Sequence, residues 1–476
     1  MAVRLSAVRL RVERLYACSS FDRVSSHYVS QDKTMARIVF GMPPAWGHIS
    51  PTIAIAQRLQ GQGHEVAYVC HPQVAPALDR AGLHLLKDFR WGDLMLKVQK
   101  EMAKQQNRWL ALTRYGRGSP TGIYFDRLEQ GVEDLVSTLR SWKPDVLVVD
   151  LLFHPGAIAA EACAIPYATI CPVILPLPSS ALPPYGFGLS PGKRPDWRWL
   201  LAKLALHWLN HSGDRVINRA RRRYGLPATR GTFFYSSPYL FLALTTEAFE
   251  YVRPDLPRQV FFVGPSISEQ RGDTEMDFPW EWLDKRSLVY TSLGTINTGQ
   301  VDFFDKVIEA SEGQPWQTVV SVGVNMNLQR WRRIPENVLL RNYVPQQALL
   351  RQAQAIICHG GANTVTEALA AGIPIAAAPV GADHFESAQR VVKAGAGIRL
   401  KLHRVTVSEL RAATYRLLQD SALRRNAERI AADYAKCDGP GTSAALILRL
   451  AEKRAPLLRP AGRSPTMYAD EIGEIP

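Results

Sequence analysis

Residues Cys358 to Phe385 read CHGGANTVTEALAAGIPIAAAPVGADHF, and the fold follows from them. An apolar run, Ala353–Cys358, leads into His359, Gly360 and Gly361; Asn363 and Thr364 then open a helix that Gly372 closes. This is a strand, a glycine turn and a helix N-terminus. Glycine lets a ligand come close to the backbone, and the free N–H groups of the first helical turn favour an anion such as phosphate or pyrophosphate. A purely local explanation stands beside it. Thr364-Val-Thr-Glu367 also fits the capping box, in which threonine and glutamate satisfy each other's backbone donors.

The same alternation recurs along the chain. With 476 residues, 46% of them hydrophobic, the length allows two or three domains with sizeable cores. The six cysteines are scattered, with no C-x-x-C pair and no paired-histidine spacing, which indicates neither a zinc site nor a disulfide framework and fits a reducing cytosol. Residues 162–192 carry no charge, but Pro166, Pro172, Pro176, Pro178, Pro183, Pro184 and Pro191 rule out a spanning helix there. The formal charge of +14 speaks to association rather than to fold.

Residues 1–34, arginine- and serine-rich, are expected to be a disordered extension, with the true start at Met35. A transit peptide is disfavoured by Glu13, Asp22 and Asp32. Strand Arg37–Met42 runs into Pro43-Pro-Ala-Trp-Gly-His48-Ile-Ser-Pro51; Ser50 is a good N-cap and Pro51 a good first helical residue. His48 is therefore expected in the loop at the carboxyl end of strand one, the edge where doubly wound sheets bind ligands. A second strand, His64–Cys70, and helical segments to Leu139 follow, and the buried-type strand Val146–Val149 then ends in Asp150. Asp150 can hold a histidine's Nδ1–H and so leave Nε2 free as a base; capping the next helix is the plainer role.

Helix Gly156–Ala164 and strand Tyr167–Cys171 continue the series, and Leu240–Leu244 and Val260–Val263 end this half. Lys193–Arg223 carries nine basic against two acidic side chains, with Trp197, Leu200, Leu201, Leu204 and Trp208 at helical spacing. It reads as a basic amphipathic helix, either packed on its own domain or touching a membrane surface through residues such as Arg221, Arg222 and Arg223. Ser287–Ser292 restarts the alternation. The boundaries expected are a domain at 35–263, a linker at 264–286, a second domain at 287–440, a helix at 441–455 (Thr442–Arg454, after chain-breaking Gly439 and Gly441) and a loose tail at 456–476.

Gly47-His48, Asp150, Ser292-Leu-Gly-Thr295, Tyr343-Val-Pro-Gln346, His359-Gly-Gly-Ala-Asn-Thr364, Glu367 and Pro379-Val-Gly-Ala-Asp383 occur in an order that resembles the family 1 (UDP-glycosyltransferase-like) enzymes, nearest their bacterial macrolide branch. The resemblance spans about Met35–Arg454. It implies the α/β GT-B fold: two Rossmann-like domains facing each other across a cleft, the acceptor on the first, a nucleotide sugar on the second, and a last helix crossing back. His48 would be the general base and Asp150 its orienting partner. Tyr343, where relatives usually carry tryptophan, would stack on the nucleobase; Val344 and Gln346 would hold the nucleoside, and Glu367 the ribose. His359 would meet the β-phosphate, Asn363 and Thr364 the α-phosphate, and Ser292, Gly294, Thr295 and Gly361 would line the diphosphate. Asp383 and His384 would read the sugar; His384 stands where relatives commonly have glutamine, which leaves the sugar open.

The resemblance thus implies an inverting, metal-independent hexosyltransferase. It would use a UDP- or dTDP-hexose, no resident cofactor and no nucleic acid, and would glycosylate a hydroxyl of a lipophilic natural product. The acceptor would sit between the His48 loop, Pro172–Pro191 and the aromatic-basic helix. A cytoplasmic location is expected, with peripheral contact at the membrane's inner face if Lys193–Arg223 binds lipid. A GT-B nucleotide-sugar epimerase and a non-catalytic sugar-nucleotide- or lipid-binding protein are the alternatives.

Overall fold

The computed structural model describes residues 35–89, 91–93, 96, 125, 127–192, 197–231, 234–267, 277–294, 300–324, 326–381 and 383–475. The chain divides into units Met1–Met35 and Ala36–Pro476, and every element named below lies in the second. The expected extension 1–34, Thr295 and Lys193–Asp196 fall outside the described residues.

Continuous apolar runs such as Val146–Asp150 (VLVVD) form strands covered on both faces, the condition of a parallel sheet. Strands β1 (Arg37–Gly41), β2 (Glu65–Cys70), β3 (His84–Asp88), β4 (Val146–Asp150), β5 (Tyr167–Cys171), β6 (Leu240–Ala243) and β7 (Val260–Phe262) make one sheet, ordered β3-β2-β1-β4-β5-β6-β7. Every pairing is parallel. Around it lie α1 (Trp46–Gly61), α2 (Ala75–Arg80), α3 (Leu128–Trp142), α4 (His154–Ala162) and α5 (Trp197–Arg223). The edge strand β3 falls where the sequence suggested only helix.

The second sheet is ordered β10-β9-β8-β11-β12-β13, also all parallel. Its strands are β8 (Ser287–Ser292), β9 (Trp316–Ser321), β10 (Val338–Arg341), β11 (Ala355–Cys358), β12 (Ile375–Ala377) and β13 (Gly397–Arg399). Its helices are α6 (Val301–Ser311), α7 (Gln346–Leu350), α8 (Ala362–Ala370), α9 (Asp383–Lys393), α10 (Val407–Gln419) and α11 (Ser421–Tyr434). Both sheets are doubly wound, with order reversals at β1/β4 and β8/β11 where ligand crevices form.

The last helix, α12 (Gly439–Lys453), crosses back: Ala444, Leu446, Ile447 and Leu450 are fully buried in the first domain's core beside Ile53 and Ile55 of α1. Burial of a leucine or isoleucine side chain contributes about 1.5–3 kcal/mol, so the crossing is a firm attachment. Gly439 and Gly441 begin this helix rather than break the chain. A Cβ on Gly439 would lie 2.2 Å from the Pro265 carbonyl oxygen, and the Asp438 cap accepts from Gly441 N at 2.9 Å.

The closing stretch is also not loose. Leu457 and Met467 are buried, Met467 N donates to Phe262 O at 2.8 Å, and the Arg459 guanidinium donates to Val260 O at 2.7 Å. The strand edge at β7 offers carbonyls that these residues take up. The linker region is described only in part; Ser266 within it is buried and donates to Pro51 O at 2.5 Å.

Candidate active site

His48 comes from the first turn of α1, not from a loop. The helix starts at Trp46 with Ala45 as its N-cap, so Pro51 lies inside it and Ser50 caps nothing. A proline there deprives the carbonyl four residues back of its donor. That carbonyl belongs to Gly47, and it is taken by Asn363 Nδ2 of α8, in the other domain, at 2.9 Å.

β1 and β4 are neighbours, so their carboxyl ends bring His48 and Asp150 together. His48 Nδ1 lies 2.8 Å from Asp150 Oδ2, with the carboxylate fully buried and the imidazole 15% exposed. The other carboxylate oxygen accepts from Leu152 N at 2.9 Å and so closes the turn after β4; the next helix is capped at Phe153 with no side-chain bond, so Asp150 does not take the helix-capping role. Burial alone would lower the His48 pKa; the charge and hydrogen bond of Asp150, helped by Asp383 across the cleft, outweigh it and raise the value. With Nδ1–H assigned to Asp150, Nε2 is the basic nitrogen.

At the second switch point, β8 ends in Ser292 and β11 leads to His359. The capping-box reading fails here: α8 begins at Ala362 behind Gly361 with no side-chain cap. Glu367 is instead held by Gln346, whose Nε2 donates to Glu367 Oε2 at 2.6 Å while its Oε1 accepts from Tyr290 at 3.1 Å. Thr364 and Val344 are buried, and Tyr343 is half-buried beside this group.

The glycines serve the imidazole of His359. A Cβ on Gly361 would sit 2.4 Å from His359 Nε2, and one on Gly294 2.7 Å from its Cε1, so the ring lies folded over both. Its pKa is pushed down to about 3, by burial first and then by His384, whose ring meets it edge-on at 4.6 Å. His359 is therefore neutral, and its buried Nδ1 has no partner among the described residues. Asp383 and His384 open α9, 3.9 Å apart from Oδ1 to Nε2. Of the expected site residues, all but Thr295 lie on these two facing edges.

The sequence reading missed a strap. Residues 172–192 carry no helix, as expected, but they reach over to α9 rather than standing open. Gly186 N and Gly188 N donate to Glu386 Oε1 at 3.0 and 2.8 Å, and Gln389 Nε2 donates to Ser190 at 2.8 Å. Beneath lies a buried charge cluster: Arg390 Nε meets Glu250 Oε1 at 2.7 Å, Arg390 Nη1 meets Glu386 Oε2 at 3.1 Å, and Arg253 Nη1 meets Glu250 at 3.1 Å. The nearest signal was the composition of 162–192, which excluded a helix without indicating a partner. A small crevice, open to solvent, lies between the domains, lined among others by Ser50, Pro51, Pro172, Ser266, Asn363 and Glu367. Among the described residues, no group of three or more His, Cys, Asp or Glu could hold a metal ion.

Residues 317–447 match the family described as Erythromycin biosynthesis protein CIII-like, C-terminal domain. The chain is 29% identical over 415 residues to 4'-demethylrebeccamycin synthase of Lentzea aerocolonigenes, covering 85% of this chain and 96% of that one. It is 27% identical to demethyllactenocin mycarosyltransferase of Streptomyces fradiae, covering 87% and 86%. The crystal structure of the kitacinnamycin glycotransferase superposes with a TM-score of 0.67 at 22% identity, over 87% of this chain and 98% of that one. Glycosyltransferase VinC in complex with dTDP gives 0.60 at 20% identity, over 88% and 100%. The two doubly wound sheets and these neighbours establish the GT-B fold.

Proposed function

We propose that this chain, a family 1 glycosyltransferase of the macrolide branch, moves a hexose from a UDP- or dTDP-sugar to a hydroxyl of a lipophilic small molecule, with inversion and without a metal ion. The observation that carries the reading is the His48–Asp150 pair on one edge facing the His359 turn and the α8 N-terminus on the other. His48 Nε2 takes the acceptor proton as its oxygen bonds to the anomeric carbon, and the bond to the diphosphate oxygen breaks on the opposite face. Asp150 holds the ring and stabilises the imidazolium, a contribution of roughly 10²–10⁴-fold for positioned general-base catalysis.

The leaving diphosphate meets the free N–H groups of the α8 first turn, supplied without reorganisation. The neutral His359 adds a hydrogen bond rather than a charge. Gln346 and Glu367, already paired, suit the ribose, and Asp383 with His384 suits the sugar hydroxyls. The relatives' names support a natural-product acceptor, and the dTDP-bound neighbour supports a nucleoside-diphosphate donor.

The test is a donor and acceptor panel followed by mass spectrometry, with nucleoside diphosphate release measured for wild type and His48→Ala. Transfer lost in His48→Ala with donor binding kept supports the reading; transfer intact in that variant removes the base from His48. Product stereochemistry by NMR, and rates unchanged by a chelator, check inversion and metal independence.

A further inference from the structure

Helix α5 presents two opposite apolar faces. Trp199 and Ala202 are buried against the protein, while Trp197, Leu200, Leu201, Leu204 and Trp208 are 55% to 71% exposed. At about 100° per residue, Trp197, Leu201, Leu204 and Trp208 fall within an arc of roughly 60°, with Leu200 at its margin, and the buried positions lie on the far side. Arg198 and Lys203 stand on the two flanks of the exposed stripe, roughly 100° to either side of its centre. No acidic residue occurs from Trp197 to Gly213.

Two of the three arginines at the end of the helix are already paired. Arg221 is buried and meets Glu161 at 2.7 Å, and Arg223 meets Glu129 at 2.5 Å. The half of the helix free of acids is therefore the half with the outward apolar stripe.

We propose that this stripe seats the protein on an anionic lipid surface, Trp197, Leu200, Leu201, Leu204 and Trp208 entering the headgroup boundary and Lys203 meeting lipid phosphate. Leucines between terminal tryptophans, flanked by cations, are what an interfacial helix needs. A second copy suits the face less well, because a two-fold pairing would oppose the same basic flanks. Trp197 lies seven positions after Ser190, which contacts α9, so the seat starts within about 25 Å of the donor-sugar helix. Drawing a lipophilic acceptor from the bilayer there rests on the proposed function; lipid binding itself does not.

Co-sedimentation with phosphatidylcholine vesicles, with and without phosphatidylglycerol, tests the proposal. Wild type is expected to partition onto the anionic vesicles, with at least a tenfold loss in Leu201→Asp/Leu204→Asp. In Lys203→Glu the loss should be about fivefold or more, since each basic residue contributes about 1 kcal/mol near such a surface. Thermal melts should match wild type, because these side chains are exposed. No partitioning, equal binding to neutral vesicles, or variants that bind like wild type each overturn the proposal. So does a dimer, by light scattering, that Leu201→Asp/Leu204→Asp splits, since a second copy then owns the face.

Discussion

Asn363 Nδ2 donates to the Gly47 carbonyl oxygen at 2.9 Å, joining the first turn of α8 to the first turn of α1 across the cleft. The acceptor is available because Pro51, four residues on, has no N–H to offer it. An amide nitrogen carries two hydrogens, so this bond leaves the second free for the diphosphate of the proposed donor.

Pro51→Ala should weaken that relationship from a distance. The restored N–H competes for Gly47 O, which helps the helix and frees the Asn363 amide to rotate. A net hydrogen bond contributes about 0.5–1.5 kcal/mol, so the donor KM should rise a few-fold while Tm stays level or rises. An unchanged KM would show that the domain contact does not orient Asn363.

With His48 as the proposed base, its titration is expected to set the acid limb of kcat/KM. The base works unprotonated, and its pKa is raised, so activity should fall as pH drops through a value above the ordinary 6.5. Asp150→Asn removes the raising charge and should move the limb to lower pH while cutting the rate by on the order of 10²–10⁴. The stability linkage runs the opposite way: the pair's contribution is full below the unfolded value and is lost as pH rises through the folded one. A limb that stays in place in Asp150→Asn would detach the profile from His48.

Gly361→Ala tests the nest under His359. Gly361 has φ −62°, so alanine is conformationally acceptable, but its Cβ would meet the imidazole at 2.4 Å. The ring must swing away. Donor KM should rise at least tenfold, a loss of about 1.4 kcal/mol, with little change in Tm. Equal donor affinity in calorimetry would show that His359 does not contact the diphosphate.

The switch-point residues were legible because Asp150, Ser292 and His359 each sit at the end of an apolar run within a short motif, so register alone carries them to the sheet edges, and His48 follows the first strand within a few residues. The start of α1 was not. Ser50-Pro51 looked like a cap and first turn, yet the helix begins earlier because Gly47 O has a partner 316 residues away. Thr364-x-x-Glu367 likewise looked local, but Glu367 is engaged by Gln346. The strap and the Glu250–Arg390 pair join residues 200 and 140 positions apart, where neither periodicity nor composition marks the partner.

That pair makes the last prediction. Burial alone would raise the Glu250 pKa, but Arg390 and Arg253 outweigh it and hold the carboxyl below its usual range. Its contribution is therefore present above the unfolded value near 4.3 and is lost as pH falls through the folded one. Arg390→Met leaves Glu250 with Arg253 as its one remaining cation and should cost about 3 kcal/mol, whereas Glu250→Leu/Arg390→Met, which removes one charge of each sign, should recover much of it, because Arg253 keeps the Leu175, Leu177 and Tyr251 carbonyls. Thermal melts from neutral pH downward should show the single variant's deficit shrinking as Glu250 protonates. Arg390 also holds Glu386, which binds Gly186 and Gly188 of the strap, so the double variant should keep its fold yet loosen the strap over α9. Faster proteolysis between Pro172 and Gly192 in the double variant, with Tm largely restored, is the expected result; a strap as protected as in wild type would separate the charge cluster from strap docking.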